Sequence, residues 1–543
     1  MMKRVLLTFC CMLFVMQSVL AAPIFKANDR LVIYGDSITE QRMYSRYMQQ
    51  YLFCRYPELK LNAYNAGWGG DRAPGGLNRL ERDVLVLNPN VVTLFFGMND
   101  GGYNKLNDDV LKAYKDGTEG IIKALQAKNV MPVVFTPGCV DPDKQASLKT
   151  NNYNDTLEAL GKAALELAKQ YQTPSADIFH PMLALQNEKK AVNPAFSYIP
   201  DSVHPDGNGH QVMAYNMLKG LGAEPMPDLG SADLKANTTV GLKVLGNTDE
   251  KITLETDPLP IPYWFEPAML PIMRESGFLQ FAGQKLTLTG LTAPSYELTV
   301  DGTRIGRISA EQLAAGYLVP GFYSVRGKLL HDMVQRKESN YFTAWRELRL
   351  PMQNDPAAKE IVDTMMFVDN AYHNYIHTLT STPAKISISL RPLGLTANLA
   401  EGMKYVSSNP NLYNWGTDGL TDGSWEGSST HCFASNDDKV FPKFVTVDLE
   451  KPVTISSVIA GVPAFGSTHT IAVSVSVDGK TFTDVGTYDF SQNKEERHTY
   501  KFDAVEARYV RLTYPNYYEA TVGYNNTFVF TSELEVYAPA PVK

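Results

Sequence analysis

The chain is poor in cysteine, with five among 543 residues, and two of these, Cys10 and Cys11, lie in its first apolar stretch. The other three, Cys54, Cys139 and Cys432, allow one disulfide at most. Cys54–Cys139 is the only pair inside one expected domain. A disulfide scaffold is thereby excluded, and a chain this long does not need one. No cysteine spacing reads as a metal site. Excess charge is scarce too. Lysine and arginine number 50 against 58 aspartate and glutamate, a net −8. No general pull on nucleic acid or anionic lipid follows from that. Glycine and proline, 39 and 32 residues, stay in ordinary proportion, so collagen-like and low-complexity chains are excluded. Past the N-terminus no run approaches the ~20 apolar residues of a membrane span, and no membrane insertion is expected.

The N-terminus carries Lys3 and Arg4, an apolar run from Val5 to Val19, and the small residues Ala21 and Ala22. This order reads as a secretory signal over residues 1–21, cleaved near Ala21. It predicts a secreted or periplasmic protein. No cysteine follows the cleavage point, so no lipid anchor is expected.

Residues 22–222 alternate short apolar strands with amphipathic helices. Strands are predicted at Leu31–Tyr34, Val91–Phe96 and Met131–Thr136. Helices are predicted at Arg42–Tyr56, Asp109–Lys128, Thr156–Tyr171 and Gly209–Leu218. Continuous apolar strands between such helices argue for a parallel sheet covered on both faces, with ligands bound beyond the carboxyl ends of the strands. Residues 223–394 read as a mixed α+β extension that could pack on the first domain. Its strands are Leu286–Thr289 and Tyr296–Val300, and its helices Ser309–Ala315, Ser324–Tyr341 and Ala357–Leu379. Residues 395–543 alternate apolar and polar positions between turns such as Asp478-Gly479, the pattern of an all-β sandwich.

Four blocks in the first domain carry chemistry. Gly35-Asp36-Ser37-Ile38 follows the first strand, Asn65 to Gly70 comes later, Gly97-Met98-Asn99-Asp100 follows the second apolar strand, and Asp201-Ser202-Val203-His204-Pro205 stands near the domain's end. A serine needs a base to become a nucleophile. His204 is a base suited to neutral pH, and Asp201 can orient it. Attack on an ester builds an oxyanion that needs preorganised donors. The Ser37 N–H, the Gly70 N–H and the Asn99 amide are candidates. Trp68, Arg72 and Tyr103 lie beside these blocks as candidate substrate contacts. His373 and His377 have helical i,i+4 spacing but lack the glutamate of a zinc-protease helix, so they read as helix-face packing.

Together the four blocks resemble those of the SGNH (GDSL-type) hydrolases over about residues 27–221. The resemblance implies a flavodoxin-like three-layer α/β/α fold and serine esterase chemistry without a catalytic cofactor or metal. It also implies a Ser37–His204–Asp201 triad and an oxyanion hole of Ser37, Gly70 and Asn99. In the last domain, Asn398–Gly402, Thr417–Trp425, Phe444–Leu449 and Ala507–Leu512 resemble the discoidin (factor V/VIII type C) domain, a jelly-roll-like sandwich frequent in carbohydrate-binding modules. That resemblance implies glycan contact, for which Tyr413, Trp415, Trp425 and His431 are candidates. It also implies a structural calcium ion, near the Asp418–Asp422 loop. The combined expectation is a secreted carbohydrate esterase that removes acyl groups, foremost O-acetyl, from a polysaccharide. A lipase or thioesterase acting on another acyl substrate is the second reading. A glycan-binding protein with an idle hydrolase fold is the third.

Overall fold

The computed structural model describes residues 23–352, 354–393, 398–411, 415, 419–428, 431–519 and 527–539. The expected signal segment and Tyr413 lie outside the described residues. The first domain is built on five parallel strands: β1 (Arg30–Gly35), β2 (Asn62–Gly67), β3 (Val91–Phe95), β4 (Met131–Phe135) and β5 (Ser175–Ala176). Their order is β2-β1-β3-β4-β5. Gly35 pairs with Gly67 on one side and Phe95 on the other, so the first three strands end level. The segments that follow them therefore emerge side by side.

Helices cover both faces, as the apolar strands require. Leu31 and Ile33 face one core, shared with Tyr44, Met48 and Leu52 of α2 (Met43–Arg55; α1 is Ser37–Glu40). Val32 and Tyr34 face the other, with Leu80 of α3 (Ala73–Asp83) and Ile121 and Leu125 of α4 (Asp108–Ala127). This is the three-layer α/β/α arrangement. Strand β2 reads Asn-Ala-Tyr-Asn-Ala-Gly, too polar for the hydrophobic pattern to reveal. Every residue in it is buried. Asn65 is tolerated because Nδ2 donates to Thr39 O (2.8 Å) and Ser45 Oγ (2.9 Å), and Oδ1 accepts from Gly67 N (2.9 Å).

The middle region is richer in strand than the sequence pattern predicts. One sheet joins Gly230–Asp233, Thr238–Val240, Gln284–Thr289 and Tyr317–Val319. A second joins Leu242–Asn247, Ile252–Thr256, Ser295–Val300, Thr303–Ser309 and Ser387–Leu393. The two share a core that includes Leu254, Leu286, Leu288, Leu298 and Leu390. The missed strands are short and half-exposed, so their apolar signal is weak. From this sandwich, helices Val325–Phe342 and Pro356–Thr380 cross to the first domain. Leu330, Val334 and Ile376 enter one hydrolase core, and Tyr341 and Trp345 enter the other. Gln49 Nε2 donates to Glu338 Oε1 (2.7 Å), Lys337 Nζ donates to Ala63 O (2.9 Å), and His331 Nδ1 meets Gln50 Oε1 (2.9 Å). His377 donates to Leu61 O at 3.1 Å, with His373 edge-on to its ring.

The C-terminal domain is antiparallel. Its main sheet joins Tyr405–Ser407, Lys443–Val462, Glu496–Tyr514, Thr470–Ser476 and Thr483–Asp489, with Glu533–Tyr537 on the other edge of Lys443–Val462. Cys54, Cys139 and Cys432 are free and buried, so the Cys54–Cys139 pairing that the sequence left open is not formed. Cys54 lies in the hydrolase core with Sγ 3.7 Å from Pro262 O, and burial pushes the Cys139 thiol up to about 12.

Candidate active site

Ser37 opens α1 directly behind β1. Asp36 caps this short helix, its Oδ1 accepting from Ile38 N at 3.0 Å. The close fit of α1 against β2 depends on Gly67, where an added Cβ would fall 2.2 Å from Glu40 N. At the other end of the domain, Ser202 takes φ +83° and turns the chain so that Asp201 and His204 meet. Ser37 Oγ lies 2.9 Å from His204 Nε2. His204 Nδ1 lies 2.7 Å from Asp201 Oδ2, an arrangement that places the ring proton on Nδ1 and leaves Nε2 to accept from the serine. Asp201 Oδ1 also accepts from His204 N (2.7 Å) and Val203 N (3.0 Å). Burial pushes the Asp201 carboxyl up, but these hydrogen bonds outweigh it and hold the group below the usual carboxylate range.

The other two blocks stand beside the serine. Gly70 sits at φ +73°, a conformation that favours glycine, and its N–H has no acceptor among the described residues. Asn99 follows β3. Its Nδ2 donates to Asp71 O at 3.0 Å and its Oδ1 accepts from the Tyr103 hydroxyl at 2.7 Å. One amide N–H is thus used to fix the side chain, and one is left for a ligand. Tyr103 is tied to Asn99 in this way. Arg72 is exposed and forms no ion pair among the described residues. Trp68 is half-buried, and one face of its ring is covered by the Arg346 guanidinium at 3.5 Å, so that face is closed to a sugar.

Two carboxyls behind the site are unusual. Burial pushes Asp36 up to about 8 and Asp100 up to about 6. Asp100 Oδ1 accepts from Ala73 N at 2.9 Å, so it holds a loop, as Asp36 caps a helix. His210 is fully buried and stays neutral, since burial lowers it to about 3. Its Nδ1 accepts from Tyr44 N (3.2 Å) and its Nε2 faces Gln41 Oε1 (2.9 Å), a structural role.

Sequence reasoning passed over Asp71, Arg79 and the middle-region residues Trp345 and Arg346. Arg79 stands among other charged residues in Leu77–Asp83, yet it is only 7 % exposed. No local pattern announces that Trp345 and Arg346 return to the site from more than 300 residues downstream of Ser37 in the chain.

In the last domain, Trp415 is half-buried; it packs edge-on to Phe530 with ring centroids 5.1 Å apart, and its Nε1 donates to Ser428 O (3.1 Å). Trp425 is half-buried, with Arg497 over its ring at 4.3 Å. His431 Nδ1 lies 2.5 Å from Asp422 Oδ2. Among the described residues no three His, Cys, Asp or Glu side chains gather as metal ligands. One observation does fit a cation: Glu533 is fully buried, one carboxylate oxygen has no partner, and Asp422 and Glu401 add like charge nearby. A bound cation would give that oxygen a partner.

Two parts of the chain resemble known families. Residues 33–212 match the GDSL-like lipase/acylhydrolase family, and residues 417–512 match a NedA-like galactose-binding domain. An acetylxylan esterase of Geobacillus stearothermophilus is 24% identical over 220 residues, covering 36% of this chain and 96% of that protein. Among solved structures, a gut microbial diltiazem-metabolizing enzyme aligns with a TM-score of 0.57 at 21% identity, over 69% of this chain and 99% of the other. A Geobacillus stearothermophilus acetylxylan esterase structure aligns over 37% of this chain and 97% of its own, at 22% identity and a TM-score of 0.31. A three-layer α/β/α domain that matches the GDSL-like acylhydrolases defines a carboxylic ester hydrolase. The chain carries a GDSL-like lipase/acylhydrolase domain over residues 33–212 and a galactose-binding-like domain over residues 417–512.

Proposed function

We propose that the protein is a secreted serine esterase that removes O-acetyl groups from a polysaccharide. The observation that carries the mechanism is the continuous hydrogen-bonded line from Ser37 Oγ through His204 to Asp201. In this reading His204 Nε2 takes the Ser37 proton as Oγ bonds to the acyl carbon. The carbonyl π pair moves onto oxygen, facing the Ser37 and Gly70 N–H groups and the free Asn99 N–H. Collapse expels the sugar alkoxide, which takes its proton from His204. Water then attacks the acyl-serine by the same route, releasing acetate and restoring Ser37. Asp201 stays ionised throughout and stabilises the imidazolium.

Two findings support a carbohydrate substrate: the similarity to an acetylxylan esterase and the galactose-binding-like domain. A sandwich that holds glycan would raise the effective substrate concentration at Ser37. Trp425 and His431 are the described residues proposed to contact it. Secretion is supported by the Lys3–Ala22 pattern. The test is acetate release from acetylated xylan and other acetylated polysaccharides, with Ser37→Ala alongside. Wild-type release that Ser37→Ala loses supports the reading. Turnover of long-chain esters alone would replace it with the lipid one, and full activity in Ser37→Ala would remove the serine mechanism.

Calcium in the sandwich is proposed on the orphaned Glu533 oxygen. Calcium should raise the Tm of the full chain and a chelator lower it. Glu533→Gln should weaken this response. A chelator-insensitive Tm would dismiss the ion.

A further inference from the structure

We propose that Arg79 is the positioning residue of the oxyanion hole and that Trp345, from the middle region, braces it. The inference rests on the roles just given to Ser37, Gly70 and Asn99. Arg79 is buried, with the Tyr34 ring 4.3 Å from its guanidinium carbon. Its Nη2 donates to Gly35 O at 2.9 Å, the last carbonyl of β1 and two residues before Ser37. Its Nη1 donates to Ala66 O at 2.8 Å, on β2 and four residues before Gly70. Its Nε donates to Asp71 Oδ2 at 2.6 Å, the residue after Gly70. The backbone carbonyl of Asp71 in turn receives the Asn99 amide. One planar fork therefore ties the segments that present all three oxyanion donors. A lysine, with its donors at a single point, cannot span the three acceptors.

The fork is held from behind by Asp83, which is fully buried. Asp83 accepts from Arg79 Nη1 (3.4 Å), from Arg82 and from the indole Nε1 of Trp345 (3.3 Å). Trp345 lies in the π-helical turn Thr343–Arg349. The next residue, Arg346, lies over Trp68 of the Gly70 loop and 3.4 Å from Glu40, the last residue of the helix that Ser37 opens. The middle region thus grips both the oxyanion loop and the nucleophile helix. Catalysis in the first domain then depends on a segment outside it.

Arg79 sits between two carboxylates, so removing it also leaves buried charge unpaired and lowers stability. The test therefore uses a readout that stability alone does not move. Arg79→Lys, Asp71→Asn and Trp345→Phe are made in the full chain and checked for folding by circular dichroism and Tm. kcat and KM are then measured on 4-nitrophenyl acetate. The first two should lose kcat by about 10²-fold, the cost of misplacing reacting groups by about 1 Å. KM should stay within about threefold, because the lost interaction acts in the transition state. Trp345→Phe keeps an aromatic ring but loses the five-membered ring that carries the indole N–H, and should lower kcat severalfold with the same split. It decides the matter if Arg79→Lys fails to fold. Folded variants with wild-type kcat, or with KM rising as far as kcat falls, would overturn the proposal. Activity surviving in Ser37→Ala would instead overturn the serine mechanism on which it rests.

Discussion

Asn99 is committed before any substrate arrives, with Asp71 O on its amide nitrogen and the Tyr103 hydroxyl on its amide oxygen. Only the second N–H is left for a ligand, and in the proposed mechanism it is the donor that Asn99 offers the oxyanion. Asn99→Ala should therefore lower kcat by about 10²–10³-fold with little change in KM, the usual cost of one oxyanion donor. Steady-state kinetics on a soluble acetyl ester checks this, and an unchanged kcat would remove Asn99 from the site. Tyr103→Phe leaves the amide in place but frees its oxygen side, so its loss should be smaller. At this scale the sequence was informative where chemistry-bearing residues fall in short blocks beside an element's end. Ser37, Gly70, Asn99 and His204 each stand in a short block at a predictable chain position, and the structure brings the four blocks to one edge. Arg79 and Trp345 were not legible. Besides the nearby Asp71 and Asp83, Arg79 reaches the backbone carbonyls of Gly35 and Ala66 on strands β1 and β2, and Trp345 reaches Asp83 from 262 residues away, contacts that no local pattern encodes.

Among the elements, strands β1, β3 and β4 and the predicted helices follow from apolar periodicity with bounds within a few residues of the observed ones, whereas α3 and the helix Phe179–Val192 were not predicted. Strand β2 was hidden because its buried polar residues are satisfied by Thr39, Ser45 and Gly67 rather than replaced by apolar ones. The strands of the middle region were hidden for the opposite reason, since half-exposed edges carry little apolar signal. The contact of β2 with α1 makes a sharp prediction. Gly67→Ala would place a Cβ 2.2 Å from Glu40 N, and a backbone atom cannot move aside as a side chain can. The strand and the nucleophile helix must separate, at a cost of about 1–3 kcal/mol. Thermal or urea unfolding would show the loss, and activity should fall further than stability because Ser37 moves with α1. A Gly67→Ala protein with wild-type Tm and kcat would mean that β2 and α1 are not tightly joined.

For the whole molecule, the joints between parts are built on buried titratable groups, and their shifts set how stability responds to pH. Glu338, on the helix that crosses from the middle region, is pushed up to about 7 by burial. Glu401, where the sandwich meets Arg307 of the middle region, is also raised by burial to about 7, and Asp36 beside the nucleophile to about 8. In the unfolded chain these carboxyls are already bare above pH ~5. Between about pH 6.5 and 8.5 the folded state therefore binds more protons than the unfolded one, and stability falls as pH rises. The neutral histidines, buried His210 and half-buried His331, lowered by desolvation to about 3 and about 4, act oppositely, but only below pH ~6.5, where unfolded histidine gains its proton. The two sets partly cancel in mild acid and leave the carboxyls unopposed above neutrality. The Tm of the full chain should thus decline from pH 6.5 to 8.5. Glu338→Gln keeps the acceptor for Gln49 Nε2 and removes the titrating proton, so it should flatten the decline. Differential scanning calorimetry across that range measures both. A Tm that holds level or rises, or a slope that Glu338→Gln leaves untouched, would mean that the joint between the middle region and the hydrolase is wetter than its geometry implies.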